Sequence, residues 1–128
     1  MQQLGQHIES TGWDGIWLAD HFMPNAEDTS APWPEAWVTL SALAMNIPRI
    51  RLGTLVTGNT YRHPAVLAKM AATLDHISGG RVVLGIGSGW QENEHEKYGN
   101  KIHLNCNIKN INKVKGGFEI IIDNEEII

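Results

Sequence analysis

Ile50-Arg51-Leu52-Gly53-Thr54-Leu55-Val56, a helical pattern over residues 64 to about 77, and then Arg81-Val82-Val83-Leu84-Gly85-Ile86 form the stretch that decides the fold. The two flanking runs are short, apolar and rich in Val, Ile and Leu, the pattern of strands covered on both faces of a parallel sheet. The segment between them opens on Pro64 and sets Leu67, Met70, Ala71 and Leu74 on one side at three- and four-residue spacing. It stops at Gly79-Gly80, where glycine takes the left-handed position past a helix end. Strand, helix and strand in this order make a parallel unit joined by a crossover.

Toward the N-terminus the unit repeats. Gly15-Ile16-Trp17-Leu18-Ala19 reads as a strand. Residues 34–45 read as a helix with Pro34 near its first position, Glu35 in its first turn, and Trp37, Leu40 and Ala44 on one face. Residues 4–11 read as a shorter helix closed by Gly12. Strand starts recur about every 30–35 residues, the spacing of parallel βα units. The expected fold class is α/β, its three strands set side by side through right-handed crossovers. Periodicity alone fits a TIM barrel and a doubly wound sheet equally.

Beyond Gly99 the character changes. Residues 100–128 are crowded with asparagine, isoleucine and lysine and carry no clean period before Phe118-Glu119-Ile120-Ile121-Ile122. A strand is expected there, with a hairpin through Asp123-Asn124. Two domains follow from this reading, residues 1–99 and an aberrant or non-homologous tail over 100–128. A genuine C-terminal extension of biased composition is the alternative.

With 128 residues, 42% apolar and 19% charged, the composition is that of a soluble globular chain. A net charge of -4 leaves no basic footprint for nucleic acid. No run approaches the roughly 18 apolar residues of a membrane helix. The start Met1-Gln2-Gln3-Leu4-Gly5 lacks a signal peptide's basic and apolar regions. One cysteine, Cys106, permits no internal disulfide and no metal-ligand spacing, so no metal site is expected and the setting is read as cytoplasmic.

The candidate site residues cluster after the strands. Asp20-His21 ends the first, at the end of a parallel barrel strand that faces an active-site mouth. A histidine there can meet a ring edge or move a proton near neutral pH, and it can equally be a loop residue tied to a carbonyl. Thr54-Leu55-Val56-Thr57-Gly58-Asn59-Thr60 ends the second strand, with small and hydroxylic residues that admit a flat ligand or simply make a βα turn. Gly85-Ile86-Gly87-Ser88-Gly89-Trp90 ends the third, its glycines exposing backbone N–H groups suited to an anion. Trp90 stands where a dinucleotide fingerprint needs its third glycine, so a nicotinamide-binding doubly wound domain is the weakest reading. Arg62, His63 and Arg81 read as solvated or capping groups more than phosphate ligands. Glu92, Glu94, His95 and Glu96 read as the polar first turn of a helix rather than metal ligands. Trp13, Trp17, Trp33 and Trp37 are expected to pack, with Trp33, in a loop, the one placed to reach a ligand.

These segments resemble the bacterial luciferase-like family of flavin-dependent monooxygenases and deazaflavin-dependent oxidoreductases. Gly12-Trp13-Asp14-Gly15-Ile16-Trp17-Leu18-Ala19-Asp20-His21-Phe22 resembles the family's second strand with its Asp-His end. Arg51-Leu52-Gly53-Thr54-Leu55-Val56-Thr57-Gly58, with Tyr61-Arg62-His63-Pro64-Ala65-Val66-Leu67-Ala68-Lys69, is similar to the third strand and its helix. Leu74-Asp75-His76-Ile77-Ser78-Gly79-Gly80-Arg81 leading to Gly85-Ile86-Gly87-Ser88-Gly89-Trp90 resembles the fourth. The likeness runs from about residue 2 to Gly99.

The resemblance implies a partial (β/α)8 TIM barrel containing strands two to four. It implies an oxidoreductase that uses FMN or a deazaflavin, coenzyme F420, on a small organic substrate, with members commonly dimeric. By the resemblance His21, beside Asp20, is the ring- or substrate-facing catalytic group. The Leu55, Val56, Thr57 and Gly58 corner supports the ring, often through a non-prolyl cis peptide, and Gly87, Ser88 and Gly89 lie beside the cofactor. The Arg-His-Pro and Gly-Trp forms lean toward the deazaflavin branch. A full barrel takes about 250 residues, so this chain is expected to be truncated and to bind cofactor weakly or not at all. The alternative is a non-catalytic half-barrel that works as an oligomer.

Overall fold

The computed structural model describes residues 3–98 in full, and the backbone of Gln2 and of two further strands over 108–114 and 117–122. Cys106 and the Asp123-Asn124 turn expected above lie outside the described residues. In chain order the elements are α1 (Gln2–Ser10), β1 (Gly15–Asp20), α2 (Ala36–Ala44), β2 (Arg51–Gly58), α3 (Pro64–Ser78), β3 (Val82–Val83), β4 (Ile86–Gly87), α4 (Glu92–Lys97), β5 (Ile108–Val114) and β6 (Gly117–Ile122).

The α/β expectation holds. β2 lies between β1 and the β3–β4 strand, and every pairing among them is parallel. The third strand, expected as one run over 81–86, forms two short ladders because β2 carries an irregularity opposite its middle. Leu18 pairs with Thr54 but Asp20 pairs with Thr57, so three steps of β2 span two of β1. An extra residue in one strand bends it and re-aims its side chains. Leu55 and Val56, at that point, are both exposed although neighbours on a regular strand face opposite ways. The Leu55–Val56 peptide is cis, the form the resemblance implied for this corner.

The helices cover one face of the sheet. Ile16 and Leu52 from the strands meet Trp37, Leu40, Leu43 and Ala44 from α2, Leu67 and Leu74 from α3, and Ile47 and Ile50 from the loop between α2 and β2. α2 starts two residues later than its sequence pattern suggests: Glu35 is its N-cap, with a side-chain oxygen accepting from the Val38 N–H at 2.6 Å. α3 starts at Pro64, capped by His63 Nδ1 accepting from the Ala65 N–H. It ends on left-handed Gly79 at φ 71°, which lets the Gly80 N–H return to the Asp75 carbonyl.

The other face of the sheet has no helix over it among the described residues. Trp17 lies there with its ring over Gly15 and Gly53, where an added Cβ would sit 2.4 and 2.9 Å from it. Leu55, Leu84 and Ile86 are exposed with it. The packing expected of the tryptophans holds for Trp37 but not for Trp13, Trp17 or Trp33, which are exposed. Trp17 is exposed because its strand position faces away from α2 and α3, where no second layer lies among the described residues; Trp13 and Trp33 lie in loops.

β5 and β6 pair antiparallel. The strand expected at 118–122 is present, but its partner lies upstream, at Ile108–Val114, a stretch whose three-residue apolar spacing hid its strand character. Among the described residues no helix is long and apolar enough to cross a membrane.

Arg81 closes the helix ends, as the capping reading expected. Its guanidinium donates to the carbonyls of Ser78, Ile47, Ile50 and Ala44 at 2.7–3.0 Å. Removing it takes the guanidinium from acceptors at the C-terminal ends of α2 and α3 and in the loop between α2 and β2. Arg81→Ala should lower stability in urea unfolding by about 2–4 kcal/mol, and Arg81→Lys by a smaller amount, since one ammonium reaches fewer of the four carbonyls.

Candidate functional site at the strand ends

A cavity of about 230 Å³ opens where the parallel strands end. Asp20 and His21 reach it from β1, Leu55, Val56, Gly58 and Tyr61 from β2 and the loop after it, and Gly87, Ser88, Gly89 and Trp90 from β4 and its turn. All of these are C-terminal strand ends, where ligands bind in parallel α/β architectures. Of Asp20, His21 and the ring-supporting residues that the resemblance implied, the structure brings together all but Thr57; Trp33, expected to reach a ligand, lies instead at a separate cavity beside Trp17 and Leu18. Thr57 is fully buried, its hydroxyl 2.8 Å from that of Thr54 and its N–H on the Gly85 carbonyl. The irregularity in β2 turns Leu55 and Val56 outward and Thr57 inward.

Asp20 is not a free carboxylate. Arg62 grips it through two bonds, Nη1 to Oδ2 at 2.6 Å and Nη2 to Oδ1 at 2.8 Å, and also bonds Glu35. Its guanidinium carbon lies 5.3 Å from the centre of the Phe22 ring, a cation–π contact. Burial by itself would lower the Arg62 pKa, but Asp20 and Glu35 outweigh it and hold the pKa above the usual value. Arg62 is thus neither solvated nor set for phosphate; it locks the end of β1 to the start of α2 and to the loop before α3.

Two residues read from sequence as part of the polar first turn of a helix are completely enclosed. Glu94 and His95 are both 0% exposed. Glu94 accepts from the Phe22 N–H on one oxygen, and from Tyr61 Oη and His21 Nδ1 on the other, at 2.5 and 2.7 Å. Burial alone would raise its pKa; the bonds from His21, Tyr61 and Phe22 outweigh that and lower it. Tyr61 is pushed upward, first by burial and then by its bond to Glu94.

His95 Nδ1 donates to the Gln91 carbonyl at 2.7 Å, because a carbonyl can only accept. In the neutral ring, Nε2 then accepts from the Thr60 hydroxyl at 2.6 Å. Gly89, at φ 79°, rests on this pair: a Cβ there would sit 2.6 Å from Thr60 Oγ1 and 3.1 Å from His95 Nε2. α4 therefore fastens the end of β1 through Glu94, and the glycine turn and the loop after β2 through His95. Trp90 and Tyr61, neither singled out from sequence, set ring edges against His21 with centroids 5.8 and 6.4 Å away.

The directions of the two shifts fix a pH dependence. Glu94, with its pKa depressed, contributes stability that is present above its unfolded value of about 4.3 and lost as pH falls through the folded value. Tyr61, with its pKa raised, contributes stability that is present below about 10 and lost as pH rises further. The melting temperature should therefore be flat near neutrality and fall on both sides. Glu94→Gln should shallow the acid limb and Tyr61→Phe the alkaline limb in thermal scans.

Known proteins share this arrangement of segments. The model of the luciferase-like monooxygenase family matches residues 1–107. The F420-dependent glucose-6-phosphate dehydrogenase of Amycolatopsis mediterranei (strain U-32) is 44% identical over 88 residues, 67% of this chain and 26% of its own length. A solved F420-dependent secondary alcohol dehydrogenase, in complex with an F420-acetone adduct, superposes with a TM-score of 0.69 at 29% identity, over 77% of this chain and 30% of that one. The oxygenating constituent of 3,6-diketocamphane monooxygenase from Pseudomonas putida, in complex with FMN, gives 0.66 at 26% identity over 77% and 26%. The chain spans about a quarter of the length of the curated relatives it matches. It belongs to the luciferase-like monooxygenase family.

Proposed function

We propose that this chain carries the ring-binding part of a deazaflavin- or flavin-dependent oxidoreductase acting on a small organic molecule. The observation that carries the reading is the meeting of three strand ends on one cavity whose walls suit a flat heteroaromatic ring. Leu55 and Val56 supply an apolar support, exposed on the cavity side. Gly87-Ser88-Gly89 supplies backbone without bulk; at Gly87 even a Cβ would sit 2.6 Å from Val56 Cγ2. His21, Tyr61 and Ser88 supply polar edges. The volume is below the roughly 300–1,000 Å³ of pockets that enclose a whole drug-sized ligand, so the cavity suits the ring and not an entire cofactor.

Coenzyme F420 is the favoured group, because several similar curated relatives, at 39–44% identity, are named for it, and FMN is the second choice. When bound, a deazaflavin exchanges hydride with its substrate, while a reduced flavin activates oxygen. In either case His21 is the residue that meets the ring or substrate and holds or moves a proton. Asp20 belongs to the site as the anchor of the strand end, its carboxylate committed to Arg62. Thr57 supports the Leu55-Val56 corner from behind and makes no ligand contact.

In this reading β1, β2 and the β3–β4 strand are the second to fourth strands of a (β/α)8 barrel. Residues 1–99 form the barrel part and 100–128 a separate tail. The uncovered face bearing Trp17, Leu55, Leu84 and Ile86 then faces the barrel interior. The same apolar face favours a second reading, a non-catalytic half-barrel that covers it by pairing with another copy.

Titration of the purified chain with F420 and with FMN, followed by Trp90 and cofactor fluorescence, separates the two. Weak saturable quenching, lost in a folded Gly87→Val variant, is expected. Absence of saturable binding in a discrete, cooperatively unfolding oligomer would instead support the half-barrel module. Unchanged affinity in Gly87→Val would remove the cavity from the account.

A further inference from the structure

We propose that Glu94 is a positioning residue that fixes the tautomer of His21, leaving Nε2 as the ring nitrogen presented to the cavity. What this does for chemistry rests on the reading of the cavity given above; the tautomer itself needs no bound ligand.

The argument starts from the carboxylate. Glu94 is fully buried, and its pKa is nevertheless held low, so near neutral pH it is ionised and can only accept hydrogen bonds. The Phe22 N–H can only donate, and Tyr61, with its pKa raised, keeps its proton and donates as well. His21 Nδ1, 2.7 Å from the same oxygen as Tyr61 Oη, must then carry a hydrogen. A neutral imidazole has one N–H, so Nε2 is left with a lone pair. Trp90 and Tyr61 hold the ring's orientation with edge contacts, and His21 lines the cavity.

Neutral His21 therefore offers an acceptor at Nε2. After taking a proton there it offers a donor, with its positive charge beside the Glu94 carboxylate. A proton passes between His21 and a bound molecule through Nε2, while the Nδ1–H bond to Glu94 stays in place. The titratable groups around His21 are Glu94 from α4, Tyr61 from the loop after β2, and Asp20 from β1, the last already neutralised by Arg62. A carboxylate that served only to tie α4 to the Phe22 backbone would leave the ring free to choose either tautomer.

Long-range ¹⁵N–¹H spectra of the full chain labelled at histidine test this directly, with a His21→Asn sample to assign the signal. In its neutral form, His21 should show a protonated Nδ1 and a bare Nε2. A folded Glu94→Gln variant should move the population toward Nε2–H, because the amide now turns an N–H toward Nδ1. Tyr61→Phe, which leaves the His21–Glu94 pair intact, should keep the Nδ1–H form. An Nε2–H tautomer in the unaltered chain overturns the proposal, whether or not Glu94→Gln folds. So does an unchanged tautomer in a folded Glu94→Gln variant. A correct tautomer in a chain that binds neither F420 nor FMN would leave this inference standing and remove the cofactor reading.

Discussion

A carboxylate withdrawn completely from water must be met by donors, and Glu94 is met by three from distant parts of the chain. That requirement organises the mouth of the sheet. It brings the end of β1 against α4, sets the ring of His21, and draws in Tyr61 from the loop after β2. The next residue, His95, extends the same helix turn to Thr60 and the Gly89 turn. Removing one partner from such a network leaves the others buried and unpaired, so its members stand or fall together. A second fixed charge group, Asp20 with Arg62 and Glu35, lies beside it and ties β1 to the helices behind the sheet.

The sheet supplies the frame on which these networks act. Its covered face is an ordinary apolar core beneath α2 and α3, closed at the helix ends by Arg81. Its other face is apolar and, among the described residues, uncovered, which is unusual for parallel strands. The irregularity in β2 divides the labour between the two faces at the strand end. It sends Leu55 and Val56 toward the cavity and keeps Thr57 with Thr54 in the interior. One extra residue thereby converts a strand end into a cavity wall.

Much of the frame was legible in the sequence because it is local. The proline starts and glycine stops of α3, the apolar face of α2 and the three β-rich runs are all read within a dozen residues. The candidate site was legible where it consists of strand ends, from Asp20-His21 to Gly87-Ser88-Gly89. It was not legible where it consists of pairs. Glu94 reaches His21 across 73 residues and Arg62 reaches Asp20 across 42, and no helical or strand period encodes such partners. Glu94 and His95 also sit in a strongly charged run, which by composition reads as the polar first turn of a helix. β5 escaped for a different reason: its apolar residues, Ile108, Ile111 and Val114, recur at every third position, which is not the two-residue period of a strand.

The most direct test of the central claim, that the cavity at the strand ends receives the cofactor ring, is amide chemical-shift mapping of the chain with F420 added. The account expects perturbations concentrated at Asp20 to Phe22, Leu55 to Tyr61 and Gly87 to Trp90. Perturbations centred instead on the apolar groove between α2 and α3, around Val38, Ser41 and Lys69, would contradict it.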